Sequence, residues 1–220
     1  MNLQKLLENK KVIFWDFDGV IKDSVSVKTK AFSILFEKYG REIQEKVVSY
    51  HLENGGVSRF DKVKYFYSHF LSETISKTKL NEICARFGEI VLQGVIDSPW
   101  VPGAEEYLRS NPYNQKFIIV TGTPQKEIEY IVEKLDLMDV FVSIHGTPSE
   151  KQEIVKKYIE QNSSGNDDLL LIGDSRADYE AAILNNISFV LRRTEDNAFM
   201  HELKGIHVTN DFTNIKGISI

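Results

Sequence analysis

The sequence predicts an α/β protein: a doubly wound parallel sheet into which an all-helical cap domain is inserted. Three observations predict it. Short apolar runs at residues 12–15, 117–120, 140–144, 169–172 and 187–191 are continuous rather than alternating, the pattern of strands buried on both faces. Between the last four runs lie segments of helical length and period, at 125–135, 149–161 and 178–185, so the chain after residue 100 alternates β and α. From 23 to 99 that alternation stops, and residues 25–39, 42–52, 59–71 and 79–93 read as amphipathic helices with no strand between them.

Taken in order, the first run ends in Asp16-Phe17-Asp18-Gly19. Alternation along a strand sends Asp16 and Asp18 to one side beyond its carboxyl end, and Gly19 permits a sharp turn there. The helical stretch follows, punctuated by Gly40, Gly55-Gly56, Pro99 and Pro102-Gly103. These breaks divide the chain into a core of residues 1–22 and 100–220 and a cap of residues 23–99. The second strand closes on Thr121-Gly122-Thr123, where a hydroxyl and a glycine let backbone N–H groups approach an anion. The third leads to Lys151 at the start of a helix, and the fourth closes on Gly173-Asp174-Ser175, with Asp178 one helical turn further on. Asp174 or Ser175 is the expected cap of that helix, a role that leaves Asp178 unassigned. A weak strand is expected at 206–208, and residues 211–220 carry little signal.

Composition narrows the function classes. The 220 residues carry a net charge of -5, which argues against a nucleic-acid partner bound through a net basic surface. No apolar stretch reaches the roughly 20 residues of a membrane span, and the run 12–15 before two acids is no signal peptide, so a cytoplasmic location is expected. The single Cys84 has no disulfide partner and no metal-ligand spacing, and reads as a buried small hydrophobe in a reducing compartment. The sequons at 162–164 and 186–188 read as accidental.

The chemistry lies at the strand ends. In an open α/β sheet ligands bind outside the carboxyl ends of the strands, where Asp16, Asp18, Asp174 and Asp178 would converge. Their mutual repulsion would destabilise the site unless a cation stood among them, and oxygen ligands without His or Cys suit Mg²⁺.

The order Asp16-x-Asp18, Thr121, Lys151, Gly173-Asp174-x-x-x-Asp178 resembles the four-motif signature of the haloacid dehalogenase superfamily, with its Rossmann-like core, over residues 12 to about 182. The position of the insertion resembles the helical cap of the subfamily that includes phosphoglycolate phosphatases and β-phosphoglucomutase. The resemblance implies a phosphatase acting on a small phosphorylated metabolite. It makes Asp16 the nucleophile and a metal ligand, and Asp18 the acid and base, its backbone carbonyl also on the metal. Thr121 would hold a phosphoryl oxygen, Lys151 would neutralise transferring charge, Asp174 would ligate Mg²⁺, and Asp178 would ligate it or support a ligand. Gly122 and Thr123 are expected to bind substrate, as is Arg59 in the turn 54–59; His51 and Lys62 read more simply as packing or surface residues. Dehalogenase-like members lack an acid two residues after the nucleophile, so Asp18 favours a phosphoester.

Two alternatives stay open. The segment 16–24 and Gly56-Val57-Ser58-Arg59 resemble β-phosphoglucomutase, yet Val27-Lys28-Thr29 occupies the stretch where that family would place a histidine. A silent phospho-ligand-binding protein on the same fold would have no need of all these acids together with Lys151. A monomer is the default expectation.

Overall fold

The computed structural model describes residues 3–162 and 165–215. Residues 163 and 164 of one expected sequon, and the last part of the low-signal tail, lie outside the described residues. Six parallel strands form one sheet in the order β3-β2-β1-β4-β5-β6. They are β1 Val12–Trp15, β2 Lys116–Pro124, β3 Phe141–Thr147, β4 Leu169–Gly173, β5 Ser188–Arg192 and β6 His207–Thr209.

Every residue of β1 is buried, as its unbroken apolar run requires of a strand covered on both faces. Val12 and Phe14 join Ile118, Val120, Leu169 and Leu171 in an apolar layer on one face. Helices α8 (Lys151–Gln161) and α9 (Arg176–Leu184) cover that layer with Ile154, Val155, Ala181 and Ala182. Ile13 and Trp15 join Phe117, Ile119, Leu170 and Ile172 on the other face. There Trp15 packs on Phe212 and Tyr107, with ring centroids 5.3 and 5.9 Å away.

The insertion consists of helices and turns: α2 Val25–Phe36, α3 Arg41–Glu53, α4 Arg59–Tyr65, a π-turn Phe66–Phe70, and α5 Lys77–Asp97. Phe32, Phe36, Phe66 and Phe87 pack edge to face or tilted at 4.3–5.5 Å and form its apolar centre. The chain leaves and re-enters the sheet region side by side, with Asp23 N donating to Pro99 O at 2.8 Å.

The expected elements recur with shifts of a few residues at their ends, and three features differ from expectation. Short helices α1 (Leu3–Glu8) and α6 (Ala104–Ser110) are present where no periodicity was long enough to show them. The segment expected as one helix over 59–71 changes to the π-turn after Tyr65. The tail also has a structural role: Phe212 and Ile215 are buried, and Phe212 N donates to Pro102 O at 2.9 Å. Gly103, with φ +77°, is pressed so closely on that tail that a Cβ would lie 2.5 Å from the Phe212 carbonyl carbon.

Candidate active site

The strand order places β1 between β2, on the arm that ends in β3, and β4, on the arm that ends in β6. The β1/β4 junction is therefore the switch point where such sheets open a crevice at their carboxyl edge. Register aligns Trp15 with both Ile119 and Ile172, so Asp16, Thr121 and Asp174 emerge from three adjacent strands at nearly one level. Asp16 N donates to Ile172 O at 2.9 Å, which continues the ladder one residue past β1 and fixes where its carboxylate points.

Oxygens of Asp16, Asp174 and Asp178 all lie within 4.8 Å of one another. Burial, together with the charges of Asp178 and Asp18, pushes the Asp16 carboxyl up to about 7 against the pull of Lys151. Burial, then Asp16 and Asp178, hold Asp174 well above the ordinary carboxylate range. A set of carboxylates that repel one another in this way fits a hard divalent cation, whose charge would remove the repulsion.

Lys151 opens α8 and is buried beside this set. Its Nζ lies 2.9 Å from Asp16 Oδ1 and 2.6 Å from Asp178 Oδ1. Burial opposes its charge, yet these two carboxylates raise its proton affinity above the usual lysine value. Asp178 is not the unassigned acid of the sequence reading. Ser175 caps α9, and the Asp178 carboxylate closes a capping box by accepting from Ser175 N (3.2 Å) and Oγ. With its other oxygen on Lys151, Asp178 ties the turn after β4 to α8.

Asp18 lines the same cleft as Asp16 and has its own set of partners. It accepts from Ser24 Oγ at 2.6 Å, from Thr123 Oγ1 at 3.1 Å and from Lys28 Nζ, while Lys28 also donates to Thr123 Oγ1 at 2.8 Å. Burial works against ionisation here, but the Lys28 charge and these bonds hold Asp18 below the usual range. The Ser24 side chain, at the position preceding α2, makes no capping bond to the helix because its hydroxyl serves Asp18.

Thr121 is buried, and its Oγ1 accepts from Thr123 N at 3.3 Å. Gly122 meets the insertion directly, since a Cβ there would stand 2.5 Å from Gly56 O. Gly56 has φ +75°, and a Cβ on it would lie 2.5 Å from Ser175 Oγ. The glycine pair of the insertion thus brings backbone against the sheet's own loops.

Arg59 is buried at the start of α4 and lines the same cavity as Asp16 and Asp18, together with His51, Lys62 and Lys28. Its guanidinium stacks 4.5 Å from the centre of the Phe87 ring and donates to Glu127 Oε2 (2.9 Å) and Oε1 (2.5 Å). Glu127 belongs to α7 (Gln125–Lys134), so this pair spans insertion and core. The structure therefore gathers Asp16, Asp18, Thr121, Gly122, Thr123, Asp174 and Arg59 around one cleft, with Lys151 and Asp178 behind its floor. Sequence reasoning passed over Lys28 as a site residue, although it lies in the first turn of the helix that follows Asp18 and Ser24. Nothing in the sequence pairs Glu127 with Arg59.

Residues 12–191 match the family model of haloacid dehalogenase-like hydrolases. No curated protein matches the chain. Among solved structures, β-phosphoglucomutase from Clostridium difficile superposes with a TM-score of 0.72 at 19% identity, covering 94% of each chain. A Lactobacillus plantarum protein provisionally assigned as a phosphoglycolate phosphatase gives 0.72 at 16%, covering 92% of this chain and 95% of its own. A CbbY mutant from Rhodobacter sphaeroides, in complex with xylulose-1,5-bisphosphate, gives 0.72 at 13%, covering 96% and 100%. At these identities the superpositions speak to the fold alone. With the family model spanning strands β1 to β4, most of β5, the insertion and all four acidic positions, the chain belongs to the haloacid dehalogenase-like hydrolases.

Proposed function

We propose that the protein is a Mg²⁺-dependent phosphatase that hydrolyses a small phosphomonoester through an aspartyl-phosphate on Asp16. The observation that carries this reading is the contact between Asp16 and Lys151 at the switch point, beside the Asp174 carboxylate and in the cleft that Asp18 also lines.

Asp16, Asp174 and the Asp18 backbone carbonyl would hold the cation, with Asp178 aligning Lys151 and the loop that carries Asp174. When bound, Mg²⁺ would neutralise charge on the phosphoryl oxygens and lower the proton affinity of the carboxylates around it. An Asp16 oxygen attacks phosphorus, and the bond from phosphorus to the leaving oxygen breaks. Asp18 gives that oxygen a proton. In the second half Asp18, now a carboxylate, takes a proton from water as the water oxygen attacks phosphorus. The acyl-phosphate bond breaks, and inorganic phosphate leaves with Asp16 restored. Lys151 faces the transferring charge throughout, and preorganised cations of this kind supply much of the rate in phosphoryl transfer. Asp18 is ionised in the present arrangement. The negative charge of an arriving phosphoryl group raises its proton affinity, as the first half-reaction requires.

Residues 23–99 act in this reading as a mobile cap that excludes water, hinged where residues 22–24 and 99–101 run side by side. Both terminal nitrogens of Arg59 donate to Glu127, and Nη1 also donates to the Cys84 carbonyl at 3.4 Å, so those two nitrogens would reach substrate by exchanging these partners for a substrate group. Among the described residues no helix is long and apolar enough to cross a membrane. A reducing cytoplasmic setting suits the buried Cys84. The test is phosphate release from p-nitrophenyl phosphate: release with Mg²⁺, its loss with EDTA and its loss in Asp16→Asn support the reading. Metal-independent turnover, or turnover of the variant at the wild-type rate, overturns it.

A further inference from the structure

The two edges of the sheet are unlike. β6 is three residues long, whereas β3 runs over seven residues with no Lys, Arg, Asp or Glu among them. Over the β3 edge α7 presents its outer side chains: Ile128, Ile131 and Val132 are buried in the core, while Lys126, Glu129, Tyr130 and Glu133 are exposed. With Met138 and Val142 these four line an open groove between helix and edge strand. Among the described residues eight large apolar side chains are exposed, and three of them meet in this groove: Tyr130 at 43%, Met138 at 46% and Val142 at 60%. Apolar residues exposed singly are ordinary on a protein surface, but a shared patch marks a surface that something covers.

Two features say what covers it. The ladder between β2 and β3 steps from Phe117–Phe141 to Ile118–Ser143, which leaves Val142 as a bulged residue outside the pairing. A bulge spoils an edge for the addition of a further strand, so the partner must be met by side chains. The charges on α7 then form a row. Lys126, Tyr130 and Glu133 fall in one narrow stripe of the helix, with the cation at its amino end and the carboxylate two turns further on. Glu129 is held by Gln125 at 2.7 Å, but among the described residues neither Lys126 nor Glu133 has an ion pair within the chain. Such a row is complementary to its own reverse. A second α7 laid antiparallel sets each Lys126 against the Glu133 of the other copy and brings the two Tyr130 rings together near the axis.

We infer that the groove between α7 and β3 is the interface of a twofold dimer of this chain, with the α7 helices antiparallel, Tyr130, Met138 and Val142 at its apolar centre and a Lys126–Glu133 pair at each end. The symmetry makes every favourable contact occur twice for one set of residues. β3 stands two strands away from β1, so the contact leaves the cleft at the β1/β4 junction outside it. On another side of the same helix Glu127 holds Arg59, so α7 would join sheet, insertion and second copy. The inference replaces the monomer expected from the sequence and does not depend on the phosphatase reading.

The test is sedimentation equilibrium of the full chain over roughly 1 to 200 μM, because a dimer forms by mass action. The mass should rise with concentration toward twice the 25.3 kDa of one chain. Val142→Lys puts a charge into the apolar centre and should leave a monomer. Lys126→Glu and Glu133→Lys should each weaken association about tenfold, since a single reversal sets like charges together at both ends of the interface. The double variant Lys126→Glu/Glu133→Lys rebuilds both pairs with their signs exchanged, and its association should return to the wild-type value. All three positions are exposed, and circular dichroism verifies that each variant folds. A chain that stays monomeric over the whole range overturns the inference, the outcome expected if the groove serves a different protein. A dimer indifferent to Val142→Lys, or a double variant no better than either single one, overturns it as well.

Discussion

The guanidinium of Arg59 grips the carboxylate of Glu127 across the boundary between insertion and core, with both residues shielded from solvent and the Phe87 ring beneath. Such a pair is costly to half-remove, because the surviving charge is left buried and alone. Arg59→Ala and Glu127→Ala should each lower stability by about 2 to 4 kcal/mol. The double variant should lose less than their sum by more than about 1 kcal/mol, the coupling expected of groups in direct contact. Chemical denaturation checks this, and additive losses would show that the pair does not act as one unit. Hydrogen exchange along α4 should also quicken in either single variant, reporting a cap that opens more often.

Asp18→Asn tests the acid and base role through the leaving group. An alkyl phosphate needs its departing oxygen protonated, whereas p-nitrophenol leaves without help. The variant should therefore lose about 10² or more in kcat/KM on alkyl esters and markedly less on the aryl ester. Equal losses on both would remove Asp18 from proton transfer and leave it a structural partner of Lys28, Ser24 and Thr123.

The titration of Lys62 has a consequence for stability. Its ammonium titrates near 7 in the folded chain, mainly because it is buried, against 10.5 for a free lysine. Between those values the unfolded state binds more protons, so stability rises with pH there. The penalty of burying the charge is complete below 7 and fades as pH climbs toward 10. Relative to Lys62→Met, the wild type should gain several degrees in Tm between about pH 7 and about pH 9.5, measured by differential scanning calorimetry. His51, already neutral over this range, does not contribute. A Tm difference that stays constant with pH would mean that Lys62 is charged throughout.

These residues also mark how far the sequence could be read. The sheet was legible because its strands are buried on both faces and announce themselves as unbroken apolar runs, as Val12–Trp15 and Leu169–Gly173 do. Acids directly after such runs fall at the carboxyl edge by geometry alone, which is why Asp16 and Asp174 were visible. The partners that tune them were not. Glu127 lies 68 positions from Arg59, and Gly56 meets Ser175 and Gly122 through packing between segments that no local pattern connects. His51 and Lys62 looked like ordinary helix residues because their meaning depends on burial, which only the packing of α3 and α4 over the cleft creates. Helices α1 and α6 are too short to display a period, and Phe212 shows its role only by docking on Trp15.

The central claim is that Asp16 carries the phosphoryl group during turnover. The direct measurement is rapid acid quench of the Mg²⁺-loaded protein turning over a phosphoester, followed by borohydride reduction and peptide mass spectrometry. An acyl phosphate is reduced where a free carboxylate is not, so position 16 alone should be recovered as homoserine, and Asp16→Asn should yield none. Beryllium fluoride, which mimics a phosphoryl group on a carboxylate, should inhibit hydrolysis and suppress that product. Continued turnover with position 16 recovered only as aspartate, or homoserine appearing at Asp18 or Asp174 instead, would contradict the account.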